Sequence, residues 1–281
     1  MEYNSQHNFS VSDLLKKDLK LASPPNLYFE LQRVIENPNK TIVDVAFVIE
    51  KDAALAIRLL KIVNSAFYGF PSKITSINHA INIIGSRELQ TLVLATIVID
   101  RFSGIPKDLI SMHDFWAGNL RCALIAQEID RYLDKSFVDS IFICGILHNI
   151  GQLVFFQCIP ELAKKVCLSL QTDDVVKGRD EVKFEREIIG FDHFEVGSAL
   201  TKLWKLPDVI TESIRLHPYP DNAEEYTQVA SILRVADTYS KLDDLDEEVK
   251  SSLDIPISDM SEIIDKAYDQ FDDIFKVFYP E

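Results

Sequence analysis

Apolar residues recur at three- and four-residue spacing along most of the chain, which is the period of an amphipathic helix. Val11, Leu14 and Leu15 begin the first such pattern, and the Pro24–Pro25 pair ends it. The spacing predicts helices over about residues 11–20, 26–36, 41–49, 52–63, 76–84, 86–97, 112–132, 137–156, 160–170, 192–204, 207–216, 225–241 and 258–278. With several helical patterns and no series of alternating strands, the predicted fold class is all-α.

Short polar residues stand before several of these patterns. Their side-chain oxygens can accept a hydrogen bond from the free N–H groups of a first helical turn. The predicted helix starts or N-caps are Asn26, Thr41, Asp52, Ser76 and Ser86, with Gly85 ending the helix before Ser86.

The segment Asn64–Ser65 has two interpretations. It can terminate the helix that begins at Asp52, or it can form a contact site between two lobes. The terminating cap is the favoured interpretation, because Gly69 and Pro71 follow closely and both interrupt helices.

The clearest internal break is Gly104-Ile105-Pro106. It predicts a boundary near Asp108, which divides the chain into an N-terminal helical lobe (1–108) and a C-terminal lobe (109–281). Only 9 Gly and 11 Pro occur in 281 residues, so the frequent turns of a β-sandwich are absent.

The most apolar stretch, Ile141–Phe156, is about sixteen residues long and contains His148, Asn149 and Gln152. A membrane span needs about twenty apolar residues, so we expect a single buried helix and no membrane partner. The polar opening of the chain, Met1–Ser10, carries no signal-peptide pattern, and we expect a cytoplasmic protein.

The four cysteines form no CxxC pair, and three of them lie in apolar helical patterns. We expect reduced thiols in or near the core, without a disulfide or zinc role. The four residues are Cys122, Cys144, Cys158 and Cys167.

The net charge is −15, and residues 221–281 hold 17 acidic and 5 basic residues. Nucleic-acid affinity comes from basic groups that neutralise phosphates, so we expect no nucleic-acid partner. The acidic run 243–248 is expected to be a solvated connection. The last helical pattern carries Phe271, Phe275 and Phe278 on one face, which predicts docking on the protein's own core or, alternatively, a dimer or partner contact.

Candidate chemistry rests on histidines and carboxylates, because the sequence has neither a GxGxxG nor a GxxxxGK[ST] phosphate loop. His148 and Asn149 place two adjacent polar residues in an apolar helical pattern, where both need partners. Asp192-His193 stands at a predicted helix start, His217 at a helix end and Asp237 within a helix.

A series of motifs from about Pro24 to Leu242 resembles the HDOD family, whose members are HD-related output domains of bacterial signalling proteins. The motifs are residues 49–69 (IEKDAALAIRLLKIVNSAFYG), 74–77 (ITSI), 80–85 (AINIIG), 115–116 (FW), 145–148 (GILH), 193–197 (HFEVG) and 203–207 (LWKLP). The resemblance implies two packed helical lobes, the C-terminal one related to HD-type metal-dependent phosphohydrolases. In those enzymes histidines and a His-Asp pair hold one or two divalent metals that activate water.

The chain departs from that metal-ligand pattern at several positions. Gly118 stands where the first metal histidine is expected, and Asn149 replaces the Asp of the His-Asp pair. Gln152 stands at a position that is often Lys, and Pro218 replaces the second histidine of a usual double His. A binuclear centre is therefore disfavoured, since one matched carboxylate cannot offset a charge of +4.

The remnant residues have two remaining interpretations. His148, His193, His217 and Asp237 can hold one metal weakly, since three imidazoles and a carboxylate suit zinc or iron. They can also form a hydrogen-bonded network that joins helices, and this interpretation is preferred. We predict a vestigial ligand pocket of His148, Asn149, His193, His217 and Asp237, without catalytic residues, bound metal or cofactor.

Three functions are compatible with the resemblance. The preferred one is a stand-alone, non-catalytic regulatory module of bacterial signal transduction that acts through protein or small-ligand binding, with the interface between the lobes as the ligand or partner site. The alternatives are a metal-dependent phosphohydrolase acting on a nucleotide or cyclic dinucleotide, and a metal-free sensor of a nucleotide-like ligand. Gly118 and Asn149 argue against the hydrolase.

Overall fold

The computed structural model describes residues 9–18, 25–65, 68–102, 105–106, 109–134, 138–170, 179–222, 224–241 and 253–279. Within these ranges the structure is helical and contains no strand, which confirms the all-α prediction. The helices are α1 (Val11–Lys16), α2 (Asn26–Ile35), α3 (Ile42–Glu50), α4 (Ala53–Val63), α5 (Ile77–Ile84), α6 (Ser86–Arg101), α7 (Met112–Tyr132), α8 (Val138–Leu147), α9 (Ile150–Cys158), α10 (Pro160–Leu170), α11 (Arg179–Ile188), α12 (His193–Leu203), α13 (Asp208–Leu216), α14 (Thr227–Tyr239) and α15 (Ile257–Phe278).

Helices α2 to α6 pack against one another around a continuous apolar core. Three predicted caps begin helices of this group as expected. Thr41 forms a capping box with Asp44, the Asp52 carboxylate accepts from the Leu55 N–H, and Ser76 caps α5. These bonds satisfy backbone donors that a first turn otherwise leaves free.

Two predicted caps are wrong. Asn26 is the first residue of α2, and the preceding Pro25 takes the cap position without a side-chain hydrogen bond. Ser86 is the first residue of α6, while Gly85 both ends α5 and precedes α6 with a φ of 87°. A left-handed φ of this kind suits glycine. Because Gly85 is the single residue between α5 and α6, Ser86 already belongs to α6 and cannot be its cap.

Asn64 terminates α4, as the favoured interpretation predicted. Its amide donates to the carbonyls of Leu60 (2.7 Å) and Ile74 (2.8 Å) and accepts from the Ile74 N–H. The side chain therefore fixes the end of one helix to the chain that leads into the next.

The long helix α7 lies at the centre of the C-terminal half, where it packs against α8, α14 and α15. The α12 helix packs against α9 and α13, and α1 packs against α9 and α12. The predicted boundary residues Gly104 and Asp108 and the acidic run 243–248 lie outside the described residues.

The predicted single helix over 137–156 is wrong, because the chain turns at His148–Asn149 between α8 and α9. The stretch Ser140–Cys158 is long and apolar enough to cross a membrane, and 83% of it lies inside the protein. The pair α5–α6 would qualify only as a span bent by 116°. Buried core helices pass the same test of length and composition.

The last helix docks on the protein itself, as the preferred interpretation predicted. It packs against α7 and α4, with Phe275 and Phe278 buried and Phe271 partly buried. Arg58 of α4 donates to the carbonyls of Val277 (3.2 Å) and Phe278 (2.6 Å) at the C-terminal end of α15.

The cysteines lie where the sequence predicted, with Cys122 and Cys144 buried and Cys158 and Cys167 half-buried. The helix α11 was not predicted. Its segment is rich in charged residues. Among its described side chains and the residue that follows, those that are buried are Val182, Glu185 and Ile189, so the apolar pattern is weak.

Candidate functional site

The predicted pocket residues come from one turn between two helices and from the ends of three other helices. His148 and Asn149 occupy the turn between α8 and α9, and His193 is the first residue of α12, whose N-cap is Asp192. His217 follows the last residue of α13, and Asp237 lies in the last turn of α14.

His148 and Asp237 are in direct contact. The His148 Nε2 lies 2.8 Å from the Asp237 Oδ1, and its Nδ1 lies 2.7 Å from the Gly145 carbonyl oxygen. Both ring nitrogens of this buried histidine therefore face acceptor oxygens, one from a side chain and one from the backbone.

Lys241 supplies the counter-charge of Asp237. Its Nζ lies 2.7 Å from Oδ1 and 2.9 Å from Oδ2 of that carboxylate, four residues earlier along the chain. Burial raises the pKa of Asp237, but Lys241 and His148 outweigh it and hold the pKa well below its usual range. Burial lowers the pKa of Lys241, yet the carboxylate of Asp237 keeps it above its usual value. The two groups form an ion pair at neutral pH.

His217 is buried beside this pair. Its ring lies 5.6 Å from the His148 ring, and its Nδ1 lies 2.9 Å from the Ile214 carbonyl oxygen. Burial, followed by the neighbouring His148, lowers the pKa of His217 to about 3. The ring is therefore neutral, and its Nε2 has no hydrogen-bond partner among the described residues.

His193 is held by a carboxylate that the sequence analysis missed. Its Nδ1 lies 2.7 Å from Oε2 and 2.9 Å from Oε1 of Glu185, and its backbone N–H donates to Glu185 at 2.9 Å. Burial lowers the pKa of His193, but Glu185 outweighs it and raises the pKa above its usual value. The Phe194 ring contacts both His193 and His217, with centroid distances of 3.8 and 4.4 Å.

Asn149 is buried next to α7. Its amide donates to Asn119 at 3.4 Å, and Asn119 donates to the Ile146 carbonyl at 2.9 Å. The Oδ1 of Asn149 has no hydrogen-bond partner in the part of the chain that the structure describes. Gly118 has open space where a Cβ would lie. The structure thus brings His148, His217 and Asp237 together and places Asn149 and His193 on partners of their own.

A pair of metals of the HD type does not fit these residues. Asp237 is bonded to Lys241 and His148, Asn149 offers a neutral amide, and Gly118 offers no ligand. Cys122, His148 and Asp237 do carry ligand atoms within 4.8 Å of one another. Burial and the nearby Asp237 raise the pKa of the Cys122 thiol well above its usual range.

Three residues of the site escaped the sequence analysis, and two of them had a usable signal. Lys241 follows Asp237 by four residues, the spacing of an ion pair on a helix. Cys122 follows Gly118 by the same interval on α7. Glu185 required prediction of α11 first.

These features define a class of protein: an all-helical relative of HD-type domains whose pocket carries an internal ion pair and lacks a complete ligand set. The family model described as HDOD domain matches residues 21–220. The chain therefore belongs to the HDOD family.

Comparison with other proteins gives relatives of this family and fold. An uncharacterised protein of Treponema pallidum (strain Nichols) is 30% identical in an alignment of 227 residues that covers 75% of this chain and 40% of that protein. The chain thus spans well under half the length of this curated relative.

Solved structures share the fold over nearly the whole chain. A Shewanella amazonensis SB2B protein provisionally named a phosphohydrolase is 26% identical, with a TM-score of 0.75 over 94% of this chain and 97% of that one. An HDOD domain protein of unknown function from Geobacter sulfurreducens is 20% identical, with a TM-score of 0.67 over 95% and 98% of the two chains. A Marinobacter aquaeolei VT8 protein provisionally named a signal transduction protein is 20% identical, with a TM-score of 0.70 over 96% of this chain and 61% of that one.

Proposed function

We propose that this HDOD chain is a non-catalytic regulatory module of bacterial signal transduction. The observation that carries the proposal is the ion pair between Lys241 and Asp237, with Nζ–Oδ distances of 2.7 and 2.9 Å. An ammonium group occupies the carboxylate that a metal would need, so no metal-bound hydroxide is generated there.

The burial of the pocket favours protein partners over a small ligand. His148, His193 and His217 are each at most 2% exposed. Only Asp237 and Lys241, with side chains 15% and 39% exposed, reach solvent. A nucleotide-like ligand would contact the pocket through these two residues alone, whereas protein partners would use the surface of the lobes.

The name of the Shewanella amazonensis structure favours a second function, phosphoester hydrolysis. Hydrolysis needs a metal or an activated nucleophile placed beside the substrate. In this chain, Asn149 offers a neutral amide and Gly118 no side-chain ligand at two positions of the HD-type set. We therefore assign hydrolysis a lower rank than regulation.

The proposal is tested by a hydrolysis assay with cyclic di-GMP, a nucleoside triphosphate and bis(p-nitrophenyl) phosphate in the presence of Mn²⁺ or Zn²⁺. We expect wild type to equal His148→Ala, with no turnover above the buffer rate. Metal-dependent turnover by wild type that His148→Ala abolishes would show that the chain is an enzyme.

A further inference from the structure

One face of α3 is apolar and exposed to solvent. Val43 and Phe47 are four residues apart on this helix and therefore lie on the same face. They are 62% and 64% exposed, the two largest values among the exposed large apolar side chains of the described residues. The helix packs against α2, α4 and α5, and its buried side chains include Val45, Val48 and Ile49. Neighbouring apolar side chains this exposed indicate a contact surface for another protein.

Charged residues flank this apolar pair symmetrically. Lys40 stands three residues before Val43, and Glu50 stands three residues after Phe47. Both flanking side chains are exposed. The order along the chain is thus cation, apolar, apolar, anion, and the same spacing is obtained when the segment is read backwards, with the two charges exchanged.

This symmetry is what a two-fold contact between two copies of the chain requires. In such a contact one surface meets the same surface of the partner, so it must be complementary to itself. Antiparallel α3 helices place Val43 against the partner's Phe47, and they bring Lys40 to the same end as the partner's Glu50. Parallel helices would instead oppose like charges, which is unfavourable. A partner of another kind would place no such condition on the order of the residues.

The contacts of these charges within the chain leave them able to pair across the dimer. Lys40 lies 3.0 Å from Asp44, in a pair whose side chains are 44% and 35% exposed. An exposed pair of this kind contributes little, and the ammonium has three donors with which to bond a second carboxylate. Glu50 has no ion pair within the described part of the chain. The adjacent Lys51 already has a carboxylate partner 2.6 Å away.

We propose that the face of α3 formed by Val43 and Phe47, with Lys40 and Glu50 at its ends, binds the same face of a second copy of this chain in an antiparallel pair. A contact through one helix pair buries less than about 1,200 Å², which is the range of weak and transient complexes. The net charge of −15 on each copy opposes association, and physiological salt screens this repulsion beyond about 8 Å. The dimer is therefore weak. The inference does not rest on the proposed regulatory function.

The test is sedimentation equilibrium of the full chain at about 0.15 M salt, over concentrations from about 10 µM to about 1 mM. We expect a dimer with a dissociation constant of about 0.1 mM. Phe47→Glu should abolish it, because the contact would then bury two unpaired carboxylates. The matched control Leu168→Glu introduces the same charge at a 54% exposed position on α10 and should leave the dissociation constant unchanged. Circular dichroism should show that both variants fold like wild type.

Charge reversal tests the antiparallel order. Lys40→Glu and Glu50→Lys should each raise the dissociation constant at least about tenfold, because the two-fold axis repeats each change. An equimolar mixture of these two variants should associate at least as tightly as wild type, since opposite charges then meet at both ends. A mixture that stays monomeric would overturn the antiparallel pair. The proposal is also overturned if Phe47→Glu dimerises like wild type, or if wild type is monomeric at every concentration, which would leave this face to a different protein.

Discussion

At the scale of single residues, Lys241 provides the positive charge that neutralises the Asp237 carboxylate. Its ammonium neutralises Asp237 without ligands from α7 or from the α8–α9 turn. The residues at those two places, Gly118 and Asn149, offer no charged ligand. Restoring ligand side chains at these two positions should therefore not create a metal site while Lys241 remains.

This reasoning predicts a gain of metal binding by substitution. In a Mn²⁺ titration followed by electron paramagnetic resonance, the triple variant Gly118→His, Asn149→Asp and Lys241→Met should bind one Mn²⁺ per chain more than wild type, because it restores two ligands and frees a third. A Cβ at position 118 would meet no atom within 4 Å. The matched control is the double variant that keeps Lys241, which should bind no additional ion in the same titration. Equal binding by both variants would contradict the role of Lys241.

His217 makes stability depend on pH. Its pKa is about 3 in the fold, because of burial and then His148, against 6.5 in an unfolded chain. Below pH 6.5 the unfolded chain takes up a proton that the folded chain refuses. The contribution of His217 is thus complete above pH 6.5 and decreases as pH falls toward 3.

We expect the free energy of unfolding of wild type minus that of His217→Gln to fall by about 1.4 kcal/mol per pH unit between pH 6 and 4. His193, whose pKa is raised by Glu185, is present in both proteins and cancels in the difference. Urea titrations of both proteins at several pH values measure this difference in unfolding free energy. Parallel pH profiles of the two proteins would contradict a buried neutral His217.

The sequence predicts part of the pocket at this scale. His148, His217 and Asp237 lie together in the structure, and the sequence singles them out through the HDOD resemblance, whereas the apolar pattern places only His217 at a helix end. The partner of His193 could not be predicted, since Glu185 lies on a helix whose charged segment hides its apolar face. Which way Asn149 turns depends on Asn119, a tertiary contact with no local signal.

At the scale of secondary-structure elements, close packing between α9 and α12 fixes the position of His193. A Cβ placed on Gly151 would lie 1.9 Å from the His193 carbonyl oxygen. Gly151→Ala should therefore cost about 3 kcal/mol of unfolding free energy, since backbone must move. The matched control Gly118→Ala meets no atom within 4 Å and should stabilise α7 by about 0.5–1 kcal/mol. Denaturant titrations compare them, and equal effects would contradict this packing.

The last helix stabilises both halves of the chain. Phe275 is 8% exposed and stacks between Phe271 and Tyr279, with centroid distances of 5.2 and 5.7 Å. Phe275→Ala should cost about 3 kcal/mol. Tyr268→Ala, on the same helix but 41% exposed, should change stability by less than about 0.5 kcal/mol. A Phe275→Ala protein as stable as wild type would mean that this face is free for a partner.

Helix positions were predicted well where apolar spacing is strong, as for α7, α10 and α15. The predictions failed where the backbone conformation decides. Gly85 joins α5 to α6 through its positive φ, which displaces the expected Ser86 cap. The polar pair His148–Asn149 lies in the turn after α8, and both side chains have partners there.

At the scale of the whole molecule, the net charge of −15 opposes binding to nucleic acid. We expect no tight binding of a DNA duplex in fluorescence anisotropy at physiological salt, because few cations are available to displace phosphate counterions. Tight, salt-sensitive binding would contradict the prediction and would point to a local basic surface.

The whole molecule acts as a regulator rather than a hydrolase, in our proposal, because its pocket neutralises itself. The most direct measurement is a double-mutant cycle of Asp237→Asn and Lys241→Met, followed by urea unfolding in the presence of a chelator. The partly exposed Lys241 is screened by solvent, so we predict a coupling free energy of about 1 kcal/mol. A coupling near zero, together with a stabilisation by Mn²⁺ that Asp237→Asn abolishes, would show that a metal and not Lys241 is the partner of Asp237.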